Sequence, residues 1–275
     1  MARRLDPYLA VVSARFRMLL QYRAAAVAGL WTQIVFGLVL LGVYEAFYRS
    51  TTRAQPMSFP EIVSYVWLGQ ALLAMLPWNA DGDVRAMVRS GAVAYELCRP
   101  IDLYGLWYAR AVAWRTAPTV LRAAPMCLIA AIGLPLVGLD EWRLAPPPSI
   151  ASAAAFAAAL VCALLLGCAL TVLINVSLLW TLSGEGAVIL MTAIVVFCSG
   201  MLIPIPLFPE WATPLLQALP FAGLVDLPFR VFTGHIPPGA AATVLLRQLA
   251  WTAALVLLGR WLLGRGLRRV VVQGG

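Results

Sequence analysis

Residues 150–182 read IASAAAFAAALVCALLLGCALTVLINVSLLWTL, a run apolar and long enough to cross a bilayer and project beyond it. A membrane helix needs about 20 predominantly apolar residues, so this stretch sets the class: an all-α integral membrane protein. Further apolar runs lie at 24–44, 62–79, 112–137, 186–205 and 240–263, which makes six expected transmembrane helices. The composition points the same way. Of the 275 residues, 62% are hydrophobic and 12% charged, against about 25% charged in an average globular domain. A soluble enzyme is excluded, and residues 1–275 read as a single transmembrane domain.

All twenty basic residues are arginine. Without lysine there is no Walker A loop and no Schiff-base chemistry. The formal charge of +8 would suit nucleic acid or anionic lipid, and the placement of the arginines decides against nucleic acid. With the N-terminus inside, the interior segments hold Arg3, Arg4, Arg15, Arg17, Arg23, Arg85, Arg89, Arg99, Arg260, Arg265, Arg268 and Arg269. The exterior ones hold Arg49, Arg53, Arg143 and Arg230. Twelve against four is the positive-inside pattern and places both termini in the cytoplasm. Trp78, Trp180 and Trp261 then fall at inner span ends and Trp142, Trp211 and Trp251 at outer ones, as an aromatic belt requires.

Residues 1–23 are expected to form an interfacial helix. Asp6-Pro7 resembles an N-cap followed by a first-turn proline, and Leu9, Val12, Phe16, Leu19 and Leu20 recur at helical spacing. No cleavage site follows Arg3 and Arg4, so the first span is expected to act as its own insertion signal. The five cysteines form no C-x-x-C pair and stand away from the single His235, so no metal site is expected.

Two connections stand out. Residues 80–103 follow Asn79, which with Asp81 and Asp83 makes a polar cluster that can cap a short amphipathic helix. Val84, Met87 and Val88 form its apolar face, Arg85 and Arg89 lie on the other side, and Ser90-Gly91 can end it. After Cys98-Arg99-Pro100 the chain is expected to re-enter the bilayer through an interfacial aromatic set, Tyr104, Trp107 and Tyr108. The second connection, 200–239, carries eight prolines yet is strongly apolar. Leu207 to Leu219 and Phe221 to Phe232 are too short to span and fit a re-entrant or interfacial helix pair packed on protein.

No Ser-His-Asp or Cys-His arrangement is available, and the carboxylate pairs Asp81 with Asp83 and Asp140 with Glu141 fall in connections, so no hydrolase chemistry is expected. Charges within spans are the functional candidates. Arg115 and Arg122 lie seven residues apart on one face of the third span, and Arg247 stands near the outer start of the last. Arg115 is expected to snorkel to the inner interface. For Arg122 a structural partner or snorkelling stands beside a substrate contact. For Asn175 and Gln33 the bonding of neighbouring helices stands beside a place on a translocation path. Arg122 and Asn175 are the candidate path residues. The absence of a mid-membrane acid argues against a proton-coupled carrier.

Taken together, these elements resemble the permease subunits of type-2 ATP-binding-cassette (ABC) exporters. Val88-Arg89-Ser90-Gly91-Ala92-Val93-Ala94-Tyr95-Glu96-Leu97-Cys98-Arg99-Pro100 is similar to an I-R-S-G-x-(hydrophobic)-x-x-x-L-x-R-P signature of compact bacterial permeases. Ser199-Gly200-Met201-Leu202-Ile203-Pro204, Leu207-Phe208-Pro209-Glu210-Trp211, Leu219-Pro220-Phe221 and the terminal Gln273-Gly274-Gly275 follow in matching order, so the resemblance covers essentially the whole chain.

The resemblance implies an efflux permease of the bacterial cytoplasmic membrane without a nucleotide site. ATP and magnesium would be bound by a partner ATPase, present in two copies, and a second permease, identical or related, would complete the complex. The coupling interface would be Val84, Arg85, Met87, Val88, Arg89, Gly91, Tyr95, Glu96 and Arg99, with the apolar side chains filling a groove on the ATPase. Pro204, Pro206, Pro209, Pro220 and Phe221 would belong to an extracellular gate. Two rival readings are an ATP-independent secondary carrier, which needs ion-coupling residues in the membrane, and an integral membrane enzyme for lipid-linked substrates, which needs a catalytic cluster at an interface.

Overall fold

The structure, a computed structural model, describes residues 6–181 and 185–268. Arg3, Arg4, Arg269 and the Gln273-Gly274-Gly275 motif lie outside the described residues. In chain order the helices are α1 (Asp6–Leu19), α2 (Arg23–Ser50), α3 (Phe59–Leu72), α4 (Gly82–Ser90), α5 (Val93–Leu97), α6 (Leu103–Leu128), α7 (Ile150–Ser177), α8 (Glu185–Cys198), α9 (Thr213–Ala218), α10 (Asp226–Phe232) and α11 (Ala241–Leu267). No strand occurs among the described residues. Four helical stretches are long and apolar enough to cross a membrane: Arg23–Ser50, Leu103–Leu136, Ile150–Ser177 and Pro238–Leu267.

The other two apolar runs make shorter helices than the sequence suggested, Phe59–Met75 and Glu185–Cys198. In the first, Leu76 turns extended (ψ 146°) ahead of Pro77, where the proline ring disfavours a helical residue before it. In the second, the helix gives way at Ser199 to Gly200, whose φ of 85° suits a residue without a Cβ. The third run gains helix at its start, because the Asp102 carboxylate accepts a hydrogen bond from the Gly105 N–H at 2.8 Å and caps α6.

Pro118 and Pro125 lie inside α6 without breaking it. Each removes one N–H from the ladder, and the helix still runs on from Leu103 to Leu128. A wider π-turn at Ile129–Gly133 precedes Pro135 and lets the helix run on to Leu136.

The central core gathers Leu41, Trp67, Leu166, Leu170 and Phe229 from α2, α3, α7 and α10. Gly37 lets α2 approach α3 so closely that a Cβ there would stand 2.7 Å from the Trp67 ring. A second cluster joins Val84, Val93, Tyr104, Trp107, Val172 and Leu263. Tyr104 and Trp107 are therefore core residues, covered where α1 and α11 pack on that part of α6. Tyr8 of α1 lies against Gly105, and Gly259 of α11 against the Tyr104 ring. Apolar residues also face outward: Trp31, Val35, Phe36, Val39 and Val43 form an exposed stripe on α2. A bundle apolar on both its inner and outer surfaces is suited to lipid rather than water.

Candidate functional site

The short helix after α3 is built into the bundle by charge. Asp81 caps α4, accepting from Asp83 N at 3.0 Å and Val84 N at 3.5 Å. Its carboxylate also takes Arg110 Nε at 2.8 Å and Nη2 at 3.0 Å. Asp81 N donates to Asn175 Oδ1 at 2.9 Å. Arg110 reaches on to Asp83 at 3.0 Å, and Arg15 of α1 bonds Asp83 at 2.6 Å. Three helices, α1, α6 and α7, thus grip the N-terminus of a nine-residue helix. The Arg15 guanidinium, helped by Arg110, holds the Asp83 carboxyl below its usual range. Gly91, at φ 75°, ends the helix in the left-handed conformation expected there.

This anchoring sorts the residues expected at a coupling interface. Val84 is fully buried, and Met87 and Val88 pack on the second core cluster. The apolar face of α4 meets its own bundle, so the expectation that these three fill a groove on another protein does not hold for Val84. Glu96 also turns inward, accepting from Trp107 Nε1 at 3.1 Å, and is not part of an outer surface. Arg85 is half-buried and Gly91 partly covered, whereas Arg89, Tyr95, Leu97 and Arg99 face outward. Tyr95 is 77% exposed, unusually open for an aromatic ring.

The two candidate path residues do not come together. Asn175 is buried and bonds the backbone of Asp81, which makes it a tether between α7 and the start of α4. Arg122 instead sets its guanidinium against Gly29 of α2. Arg115 does not snorkel. It is 4% exposed and donates to Leu76 O, to Asn79 O at 3.4 Å and to Thr171 Oγ1 at 3.1 Å. Those oxygens, from the turn after α3 and from α7, replace the water it would have reached at the interface. Arg247 is exposed on α11.

At the far end of the bundle, Pro204 and Pro220 are buried and Pro206 and Phe221 partly so, while Pro209 is exposed. What organises this end is Asp226, which the sequence reading passed over. It is fully buried and accepts from Ile205 N at 3.0 Å, Tyr65 Oη at 3.3 Å and Arg230 Nη1 at 3.2 Å. Tyr65 Oη also lies 3.0 Å from Gly200 O. One carboxylate so fastens α3, the turn after α8 and α10. A lone acid between two apolar helical segments, four residues before an arginine, was the available signal. Arg110 was missed likewise, although it shares α6 with Arg115 and Arg122.

The anchored α4, with its outward rim, thus stands on a bundle with four bilayer-length helices. The sequence model of the family described as ABC-2 family transporter protein matches residues 34–274.

The chain belongs to the ABC-2 transporter family.

It is thus an integral membrane subunit of a transport system, and ABC-2 permeases generally work with a cytoplasmic ATPase. The match takes in α4, α5, the Asp226 end and five of the six apolar runs in full. No curated relative and no solved structure matches the ABC-2 chain.

Proposed function

We propose that this ABC-2 chain is the permease of an ATP-driven exporter that carries a hydrophobic or amphipathic molecule out of the bacterial cytoplasm. In this reading α2, α3, α6, α7, α8 and α11 are six spans, both termini are cytoplasmic, and α9 and α10 form an outer re-entrant pair. The observation that carries the proposal is the anchored α4 with its outward rim. A helix clamped through Asp81 and Asp83 to α1, α6 and α7 moves with three elements at once. Force applied at Arg89, Tyr95 and Arg99 therefore reaches the bundle as a rigid-body displacement rather than as a loop deformation.

Energy comes from two ATPase subunits that bind ATP and magnesium, and a second permease, identical or related, completes the path. The Asp226 cluster, with Pro204, Pro220 and Phe221 around it, closes the exit. Alternating access follows if α4 tilts with its three partners when the ATPases close.

Co-expression with the ATPases of the same cell, followed by affinity purification through the permease, tests this. The expected result is a stable complex with a Walker A protein whose ATP hydrolysis responds to the permease. A permease that purifies without any ATPase and moves substrate on an ion gradient would contradict the proposal.

A further inference from the structure

Arg122 and Arg115 stand out because neither has a carboxylate within 4.0 Å among the described residues. By contrast, Arg110 is paired with Asp81 and Arg230 with Asp226. Arg115 spends its donors on carbonyls and on the Thr171 hydroxyl, which solvate its charge without cancelling it. Arg122 is less well served. Its one bond is a long one, Nη2 to Ala25 O at 3.4 Å, and its Nε is buried without a partner.

Both arginines line an open cleft of about 320 Å³ between α2, the end of α3 and α6, shared with Gln33, Leu73, Trp78 and Asn79. Gln33 Oε1 is also buried and unpartnered. The walls are divided by chemistry. Arg122, Asn79 and the Gln33 amide supply donors; Leu73, Ala74, Trp78 and Pro118 supply apolar surface. An uncompensated guanidinium beside lipid is costly, and Gly29 leaves room for this one, since a Cβ there would stand 2.6 Å from the Arg122 Cζ.

We infer that this cleft binds the anionic phosphate head of an amphipathic molecule, with Arg122 as the direct contact, Arg115 as a fixed positive charge behind it, and the acyl part along Leu73, Trp78 and Pro118. A phosphate is the group that takes several guanidinium N–H bonds at once and cancels the charge. The inference does not depend on the ATPase partnership.

Delipidated full-length protein in detergent, titrated with phosphatidylglycerol or phosphatidylcholine and read by native mass spectrometry, tests it. Phosphatidylglycerol should bind in preference, and Arg122→Gln should weaken that binding about tenfold, the loss expected for one charge-assisted contact. Gly29→Ala, which displaces the guanidinium without removing it, should also weaken binding, whereas Arg143→Gln, exposed elsewhere, should not. Displacement by millimolar inorganic phosphate would support a site that reads the phosphate alone. Its failure would support one that reads head and acyl chain together. Equal binding of the two lipids, or wild-type preference in both Arg122→Gln and Gly29→Ala, would overturn the inference.

Discussion

Arg110 grips Asp81 with two nitrogens, Nε at 2.8 Å and Nη2 at 3.0 Å, while Asp81 also caps α4. The same carboxylate therefore starts a helix and fastens it to a membrane span. Both side chains are 9% exposed, so removing one leaves the other buried and unpaired. Breaking such a pair costs about 3–5 kcal/mol, whereas replacing both partners costs much less. Arg110→Met should thus lower the thermal unfolding temperature sharply, and Asp81→Asn combined with Arg110→Met should cost less than the sum of the single changes. Strict additivity in that double-mutant cycle would remove the pair from the anchoring role.

The outer partner of the cluster makes α4 sensitive to acid. Arg15 holds the Asp83 carboxyl below its usual range, so the folded state binds its proton less readily than the unfolded one. The contribution is then complete above the ordinary aspartate value of about 3.9 and is lost as pH falls through the lower folded value. A spin label at Ala86→Cys should report an ordered α4 at neutral pH and a mobile one only in strong acid. In Arg15→Gln the label should be looser at neutral pH already. A label equally ordered in both proteins would show that Arg15 does not hold the helix.

Gln248 is fully buried on α11 and donates from one nitrogen to Ala159 O at 3.0 Å and Gly223 O at 2.7 Å. It ties α7 to the Pro220–Gly223 turn. Leucine at this position leaves the Gly223 carbonyl without its donor, at about 1–3 kcal/mol. Gln248→Leu should lower the unfolding temperature in detergent and raise proteolysis around residues 220–223. An unchanged temperature would contradict the role given to this side chain.

Membrane topology is directly testable. In a cysteine-free background, Pro147→Cys should react with an impermeant maleimide from outside the cell and Glu185→Cys only from the cytoplasmic side. The reverse pattern would overturn the six-span reading, along with the assignment of the Arg89 rim to the cytoplasm.

Much of this architecture is written locally. Apolar runs mark the long helices, and Asp81 and Gly91 bracket α4 as their side-chain and backbone preferences require. What the local pattern does not hold is the choice of partner. Val84, Met87 and Val88 form an apolar face whether it meets the same chain or another, and only the tertiary packing of α4 on Trp107 and Val172 decides for the former. Arg115 reads as a snorkelling residue because Thr171, 56 positions away, is not visible as its acceptor. Asp226 and Arg110 are missed for the same reason: the groups that make their burial tolerable come from distant helices.

The central claim is that an ATPase docks on the outward rim of α4 and α5, not on their apolar face. The most direct measurement is the amount of ATPase recovered per inserted permease for Arg89→Glu with Tyr95→Ala, beside Val84→Ala. An exposed tyrosine at such a contact is worth about 2 kcal/mol, and a rim charge adds steering. The account predicts that the rim variant inserts normally and loses most of its ATPase, while Val84→Ala lowers stability yet keeps its ATPase per folded molecule. Full recovery of ATPase by the rim variant would contradict it.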